Sequence, residues 1–82
     1  PETILETAAS VENLGAAAYL GQAGRIKDKE ILAAALAIHT VEGRHAAALN
    51  TLVGKSVVPD GPFAKPATMD EVLEAVKPFI AA

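Results

Sequence analysis

The sequence contains no cysteine and no tryptophan, and aromatic residues make up only 4% of its 82 positions. Without cysteine, disulfide scaffolds, zinc–thiolate sites and thiol catalysis are excluded. The longest apolar run, from Ile31 to Ile38, is far shorter than the roughly 20 residues that cross a bilayer, so no membrane span is expected. The net charge of -3 argues against a nucleic-acid partner, which would require clustered lysine and arginine.

Methionine is also scarce: it occurs only at Met69, and the chain begins at Pro1. We therefore expect a processed form, an engineered version or a fragment of a longer protein. The first residues show neither the basic nor the apolar segment of a signal peptide, so none is expected. Hydrophobic residues make up 51% of the chain, mostly as Ala, Leu, Val and Ile. For so small a chain, this composition is typical of closely packed helices with some apolar surface reserved for a partner.

Capping residues and glycines divide the first two thirds of the chain into two helices. The segment from Thr3 to Ala23 has no proline and has apolar residues at helical spacing, which predicts the first helix. Asp28 is a suitable N-cap for a second helix, which runs from about Lys29 to Val53 and ends at Gly54. Because the connector between them is short, the two helices are expected to be antiparallel.

Prolines and a glycine forbid regular structure in the segment after the second helix. Thr68 and Glu71 then form the capping box of a short third helix, which Pro78 is expected to bend or end. We therefore predict an all-α protein with two parts. Residues 1–54 form an antiparallel helical hairpin, and residues 55–82 form a proline-rich connector and a short C-terminal helix that packs on the bundle.

One face of the second helix forms a seam whose residues follow one another at steps of four and three, as in packed helices. The seam consists of Ile31, Ala35, Ile38, Glu42, His45, Leu49 and Leu52. The matching stripe on the first helix consists of Leu5, Ala8, Glu12, Gly15, Tyr19 and Ala23. Because the midpoints of antiparallel helices meet, Glu12 should approach Glu42 and His45 in an otherwise apolar, dry interior.

Two carboxylates in such an interior are unfavourable unless a positive charge compensates them, and neither stripe carries lysine or arginine. Glu42 and His45 form a Glu-x-x-His motif, which places both side chains on one helix face. A metal ion would resolve the conflict, since oxygen and nitrogen ligands suit iron, manganese or zinc. Glu12, Glu42 and His45 are therefore candidate metal ligands, and a metal-free polar cluster in the core is the alternative.

Dinuclear ferritin-like proteins take one glutamate from each of two helices and a Glu-x-x-His motif from each of the other two. This chain provides half of that set. Two halves would bring four carboxylates, which balance the charge of two divalent ions. The pattern therefore predicts two metal ions in a four-helix bundle, whose other half comes from a second copy of the chain or from a missing N-terminal half of the same polypeptide.

The segments Leu5–Tyr19 and Ile38–Leu49 resemble the third and fourth bundle helices of the bacterial ferritin-like family related to plant desiccation-associated proteins. The chain from Pro62 to Ile80 is also similar to the ending of that family. The resemblance implies ligand roles for the two glutamates and the histidine of the seam. It also implies that the first two bundle helices are absent, and pairing of half-bundles has a precedent among encapsulated ferritins.

This resemblance implies a di-iron carboxylate site, with oxidation of ferrous iron or reduction of dioxygen or peroxide as a ferroxidase or oxidoreductase activity. The alternative is a non-catalytic structural or stress-associated helical module. In that module Glu12, Glu42 and His45, which we call the polar trio, would fix the register of the helices. Because cysteine is absent, a bacterial cytoplasmic and a periplasmic location are both compatible with the sequence.

Three further residues of the hairpin have two interpretations each. Tyr19 is either a partner of the ligands in hydrogen bonding or electron transfer, or an ordinary core residue. His39 is either an additional ligand or ligand partner, or a histidine at the rim of the seam. Gly15 either permits close approach of the helices or leaves room for metal ions and dioxygen.

Overall fold

The computed structural model describes residues 2–80, without the side chains of Glu2 and Phe79. It contains three helices, α1 (Glu2–Ala23), α2 (Lys29–Leu52) and α3 (Met69–Ile80), and the described part of the chain has no strand. α1 and α2 form an antiparallel hairpin, and α3 packs on α1. The predicted all-α architecture of a helical hairpin and a short C-terminal helix is therefore confirmed. None of the described helices combines the length and apolar character needed to span a lipid bilayer.

Local capping sets both ends of α2. The Asp28 carboxylate accepts hydrogen bonds from the backbone N–H groups of Glu30 at 2.8 Å and Ile31 at 3.1 Å, as predicted for an N-cap. At the other end, Val53 is the C-cap and Gly54 follows with a φ of 77°. Glycine adopts this left-handed conformation without steric cost, so the chain leaves the helix at this point.

The capping box predicted for α3 is also present. The Thr68 N–H donates to the Glu71 carboxylate at 2.9 Å, and the Glu71 N–H donates to the Thr68 hydroxyl at 3.1 Å. Pro78 does not end the helix, which continues to Ile80. The φ of proline suits a helix, and the missing N–H of Pro78 leaves only the Glu74 carbonyl without its partner within the helix.

The interface between α1 and α2 is made of small residues and one pair of amides. Ala9 and Ala46 are buried, and so is Asn50, with 2% of its surface exposed. The Asn13 Nδ2 donates to the Asn50 Oδ1 at 2.7 Å, and the Asn50 Nδ2 donates to the Asn13 Oδ1 at 3.2 Å. Since buried amides must find partners, this pair favours one register of α1 against α2.

The seam residues of α2, which were predicted to form one face, divide into two rows in the structure. Three residues spaced seven apart are half-buried: Ala35, Glu42 and Leu49. The four residues of the other row, also spaced seven apart, are exposed: Ile31, Ile38, His45 and Leu52. The expectation that the polar trio lies in a dry interior is therefore wrong for the single chain, because one neighbouring helix covers only one of the two rows.

The segment after α2 returns along the opposite side of the hairpin. The Ala67 N–H donates to the Ala17 carbonyl at 2.9 Å, and the Ala67 carbonyl occupies the position that a side chain at Gly21 would take. Gly21 is nine residues, or two and a half turns, from Glu12, so it lies on the other side of α1. At Ala67 the chain therefore lies on the side of α1 opposite Glu12.

Candidate metal centre

Glu12 of α1 and Glu42 and His45 of α2 form one cluster, in which each residue offers a ligand atom within 4.8 Å of the others. The His45 Nδ1 lies 3.5 Å from the Glu12 Oε2 and 3.8 Å from the Glu42 Oε1. Both glutamate side chains are 25% exposed and the His45 side chain is 56% exposed. The structure thus brings together the three residues singled out in the sequence, and their role as ligands stays a prediction.

The two carboxylates of the cluster interact unfavourably when both are charged. The Glu12 Oε2 is buried and has no hydrogen-bond donor among the described residues. Two ionised carboxylates offer only acceptor atoms, so they share a hydrogen bond only when one of them holds a proton. The pKa of Glu42 is raised by the hydrogen bond that its protonated carboxyl group can make with Glu12, and further by burial and by the charge of Glu12, whereas the charge of His45 lowers it. An unpaired buried oxygen beside a second carboxylate and an imidazole fits a bound cation, which would replace the shared proton.

The raised pKa of Glu42 predicts that the metal-free protein gains stability from this pair in mild acid. Because the folded-state pKa lies above the ordinary value of 4.5, the contribution is complete below that value and is lost as pH rises through the folded-state pKa. The Glu42→Gln variant has no titratable group at position 42. We expect the unfolding free energy of the wild type, relative to Glu42→Gln, to increase as pH falls from 7 toward 5.

Thermal unfolding of both proteins in the presence of a chelator measures this difference at each pH. The comparison cancels titrations that the two proteins share, including that of Glu71, whose pKa is lowered by its hydrogen bonds with Thr68. A difference that is independent of pH would contradict the shared proton between Glu12 and Glu42.

Tyr19 and His39, two of the three further residues considered in the sequence, lie outside the cluster. Tyr19 lines an apolar groove of about 430 Å³ together with Ile31 and Ile38, near the closed end of the hairpin. No hydrogen bond of its hydroxyl group occurs among the described residues. His39 is half-buried on α2. Their roles toward a ligand stay predictions.

Sequence reasoning missed the Asn13–Asn50 pair. Asn13 directly follows Glu12, and its amide also donates to the Ala9 carbonyl at 2.7 Å, which holds the side chain in place. By favouring one register, the pair brings Glu12 level with Glu42. The sequence did contain a signal for this pair. Each asparagine directly follows a residue of the stripe or seam on its helix, which places it near the neighbouring helix.

A glutamate on one helix and a Glu-x-x-His motif on its antiparallel neighbour form the arrangement found in half of a ferritin-like bundle. The family model of ferritin-like domains matches residues 1–55, which is more than half of the chain and includes the whole cluster. The chain therefore belongs to the ferritin-like domain family, which confirms the resemblance at this level. Comparisons with curated proteins and with solved structures gave no match.

Proposed function

We propose that this chain is one half of a four-helix bundle that holds two metal ions, with iron as the native metal. Glu42 and His45 would bind as the Glu-x-x-His pair, and Glu12 would provide the further carboxylate. The buried Oε2 of Glu12 carries this proposal, because it makes no hydrogen bond with any residue that the structure describes and lies 3.5 Å from the His45 Nδ1. A cation would satisfy this oxygen at the point where the carboxylates and the imidazole meet.

An exposed apolar surface beside the cluster supports the second half of the bundle. We call this surface the ligand face, and it consists of Glu12 and Tyr19 of α1 with Ile31, Ile38, His45 and Leu52 of α2. The apolar side chains of this face are all exposed in the single chain. Such a surface beside half of a ligand set is what a helix pair of the same kind would cover.

The total surface of the chain supports the same proposal. The chain exposes 6041 Å², whereas a compact monomer of its mass exposes about 4,600 Å². The excess of about 1,400 Å² exceeds the roughly 800 Å² that each partner buries in a typical stable interface. A second copy would cover the ligand face and bring the matching glutamates and histidine, so that four carboxylates balance two divalent ions.

Each residue of the cluster would have a definite task. His45 binds a metal only as the neutral imidazole, and Glu42 would release its shared proton on binding, so acid should weaken metal binding. The two carboxylates would compensate the charge of the ions, and the apolar groove lined by Tyr19 would limit the access of water. Bound iron would supply redox chemistry, with ferrous iron as the substrate that is oxidised and dioxygen or peroxide as the oxidant.

Metal titration of the full chain tests this proposal. Metal-free protein titrated anaerobically with Fe²⁺ should saturate at about one ion per chain, or two per pair. Light scattering on the same sample should show two chains per particle. Absence of binding would overturn the proposal and favour the non-catalytic helical module. Saturation at half an ion per chain would contradict a dinuclear site.

A further inference from the structure

Gly15 of α1 faces the carboxylate of Glu42. A Cβ atom at position 15 would lie 3.0 Å from the Glu42 Oε2 and 4.0 Å from its Cδ. No backbone atom of α2 is this close, so the glycine does not serve a close approach of the two helix backbones. Glycine in the middle of a 22-residue helix reduces helix stability relative to alanine. The missing side chain therefore leaves space that the Glu42 carboxylate occupies.

We propose that Gly15 is a positioning residue, whose open surface lets the Glu42 carboxylate lie against α1 beside Glu12. A separation of 3.0 Å is too short for an ordinary contact between Cβ and oxygen, so a methyl group would push the carboxylate away by a few tenths of an ångström. Glu12 lies one turn earlier on α1, and none of its side-chain atoms lies within 4 Å of that methyl position, so the methyl group would not displace it directly. The distance between the two carboxylates would change, and with it the arrangement of the ligand atoms.

Gly43 provides a matched control on the neighbouring helix. It also lies in mid-helix, directly after Glu42, but a Cβ atom there would meet no atom of the described residues within 4 Å. Gly15→Ala and Gly43→Ala therefore gain the same helix propensity, and they differ in the contact with Glu42. The steric part of the proposal concerns the metal-free protein, and only its consequence for binding rests on the proposed function.

The steric part is tested by thermal midpoints of the full chain without metal. Gly43→Ala should raise the midpoint by roughly 4 °C or more, as expected for relief of a mid-helix glycine. Gly15→Ala should give no increase in the wild type. It should give the full increase in a Glu42→Ala background, where the obstructing carboxylate is absent. Equal increases for Gly15→Ala in both backgrounds would overturn the proposal.

Binding of Co²⁺ to the same proteins tests the consequence for the ligands. Gly15→Ala should weaken Co²⁺ binding by about tenfold, the size of effect seen when a partner of a metal ligand is lost. It should also shift the visible Co²⁺ absorption bands, which report ligand geometry and which a purely structural role would not move. Gly43→Ala should leave both unchanged. Identical affinity and spectra for Gly15→Ala and the wild type would overturn the positioning role.

The two proposals fail in different ways. If the wild type binds neither Fe²⁺ nor Co²⁺, the proposed metal site is wrong, and the positioning role toward a bound metal is overturned with it. The midpoints would then decide on the contact between Gly15 and Glu42 alone. If the wild type binds both ions but Gly15→Ala behaves like Gly43→Ala, the metal site stands and the role of Gly15 is overturned.

Discussion

Glu42→Ala should lower the metal affinity of the protein by more than about 100-fold. Even the hydrogen-bond partners of metal ligands contribute 10–100-fold to affinity, and this substitution removes a charged ligand itself. His45→Ala should have a similar effect, because it removes the only nitrogen ligand of the cluster. Anaerobic titration with Fe²⁺, followed by metal analysis of the desalted protein, measures the loss.

The metal-free form of Glu42→Ala should behave in the opposite way at neutral pH. The wild type holds Glu42 beside Glu12 with a raised pKa, so the pair disfavours folding wherever both carboxylates ionise. Removing one carboxylate relieves that repulsion, so we expect a higher thermal midpoint at neutral pH. A variant that loses metal binding while its metal-free form becomes more stable cannot be explained by general unfolding.

Control variants on the same helices distinguish ligand loss from changes of net charge. Glu6 is exposed on α1, so Glu6→Ala removes the same charge as Glu12→Ala without touching the cluster. His39→Ala tests a separate prediction, because a partial loss of affinity there would support the predicted role of His39 beside the ligands. Wild-type affinity in Glu42→Ala, or an equal loss in Glu6→Ala, would show that the cluster does not bind the metal.

The helix boundaries were predictable from the sequence because capping is local. Asp28 bonds to N–H groups two and three residues away, and Thr68 and Glu71 bond to each other, so a short stretch of sequence contains all the partners. Pro78 was expected to bend or end α3, and the helix continues past it to Ile80, so only the ending at Pro78 is ruled out.

The cluster was predictable in composition but not in environment. Spacing along a helix fixes the angle of each residue around the axis, which is enough to put Glu42 and His45 on one face. Spacing does not fix the axial register of one helix against the other. The hydrogen bonds of the Asn13–Asn50 pair favour the observed register. Nor does spacing show which row of the seam a single neighbour covers, so the exposure of His45 was not foreseen.

Ile38→Asp should separate the proposed pair of chains into monomers. Ile38 is on the ligand face, where a second copy would bury it, and it lines the groove together with Tyr19 and Ile31. Burying an unpaired carboxylate costs several kcal/mol, and each 1.4 kcal/mol changes a dissociation constant by about tenfold. We expect the dissociation constant of the pair to rise by more than about 100-fold, measured by sedimentation at micromolar concentration.

Leu36→Asp is the matched control for this experiment, because Leu36 and Ile38 are both 46% exposed on α2 in the single chain. Two residues correspond to about 200° around a helix, so Leu36 lies away from the ligand face, and α3 packs on α1 rather than on α2. Leu36→Asp should therefore remain paired and retain its metal, whereas Ile38→Asp should lose both, since each chain provides only half of the ligands. Dissociation by Leu36→Asp alone would place the interface on the other side of α2, and a wild type that is monomeric with metal bound would contradict pairing altogether.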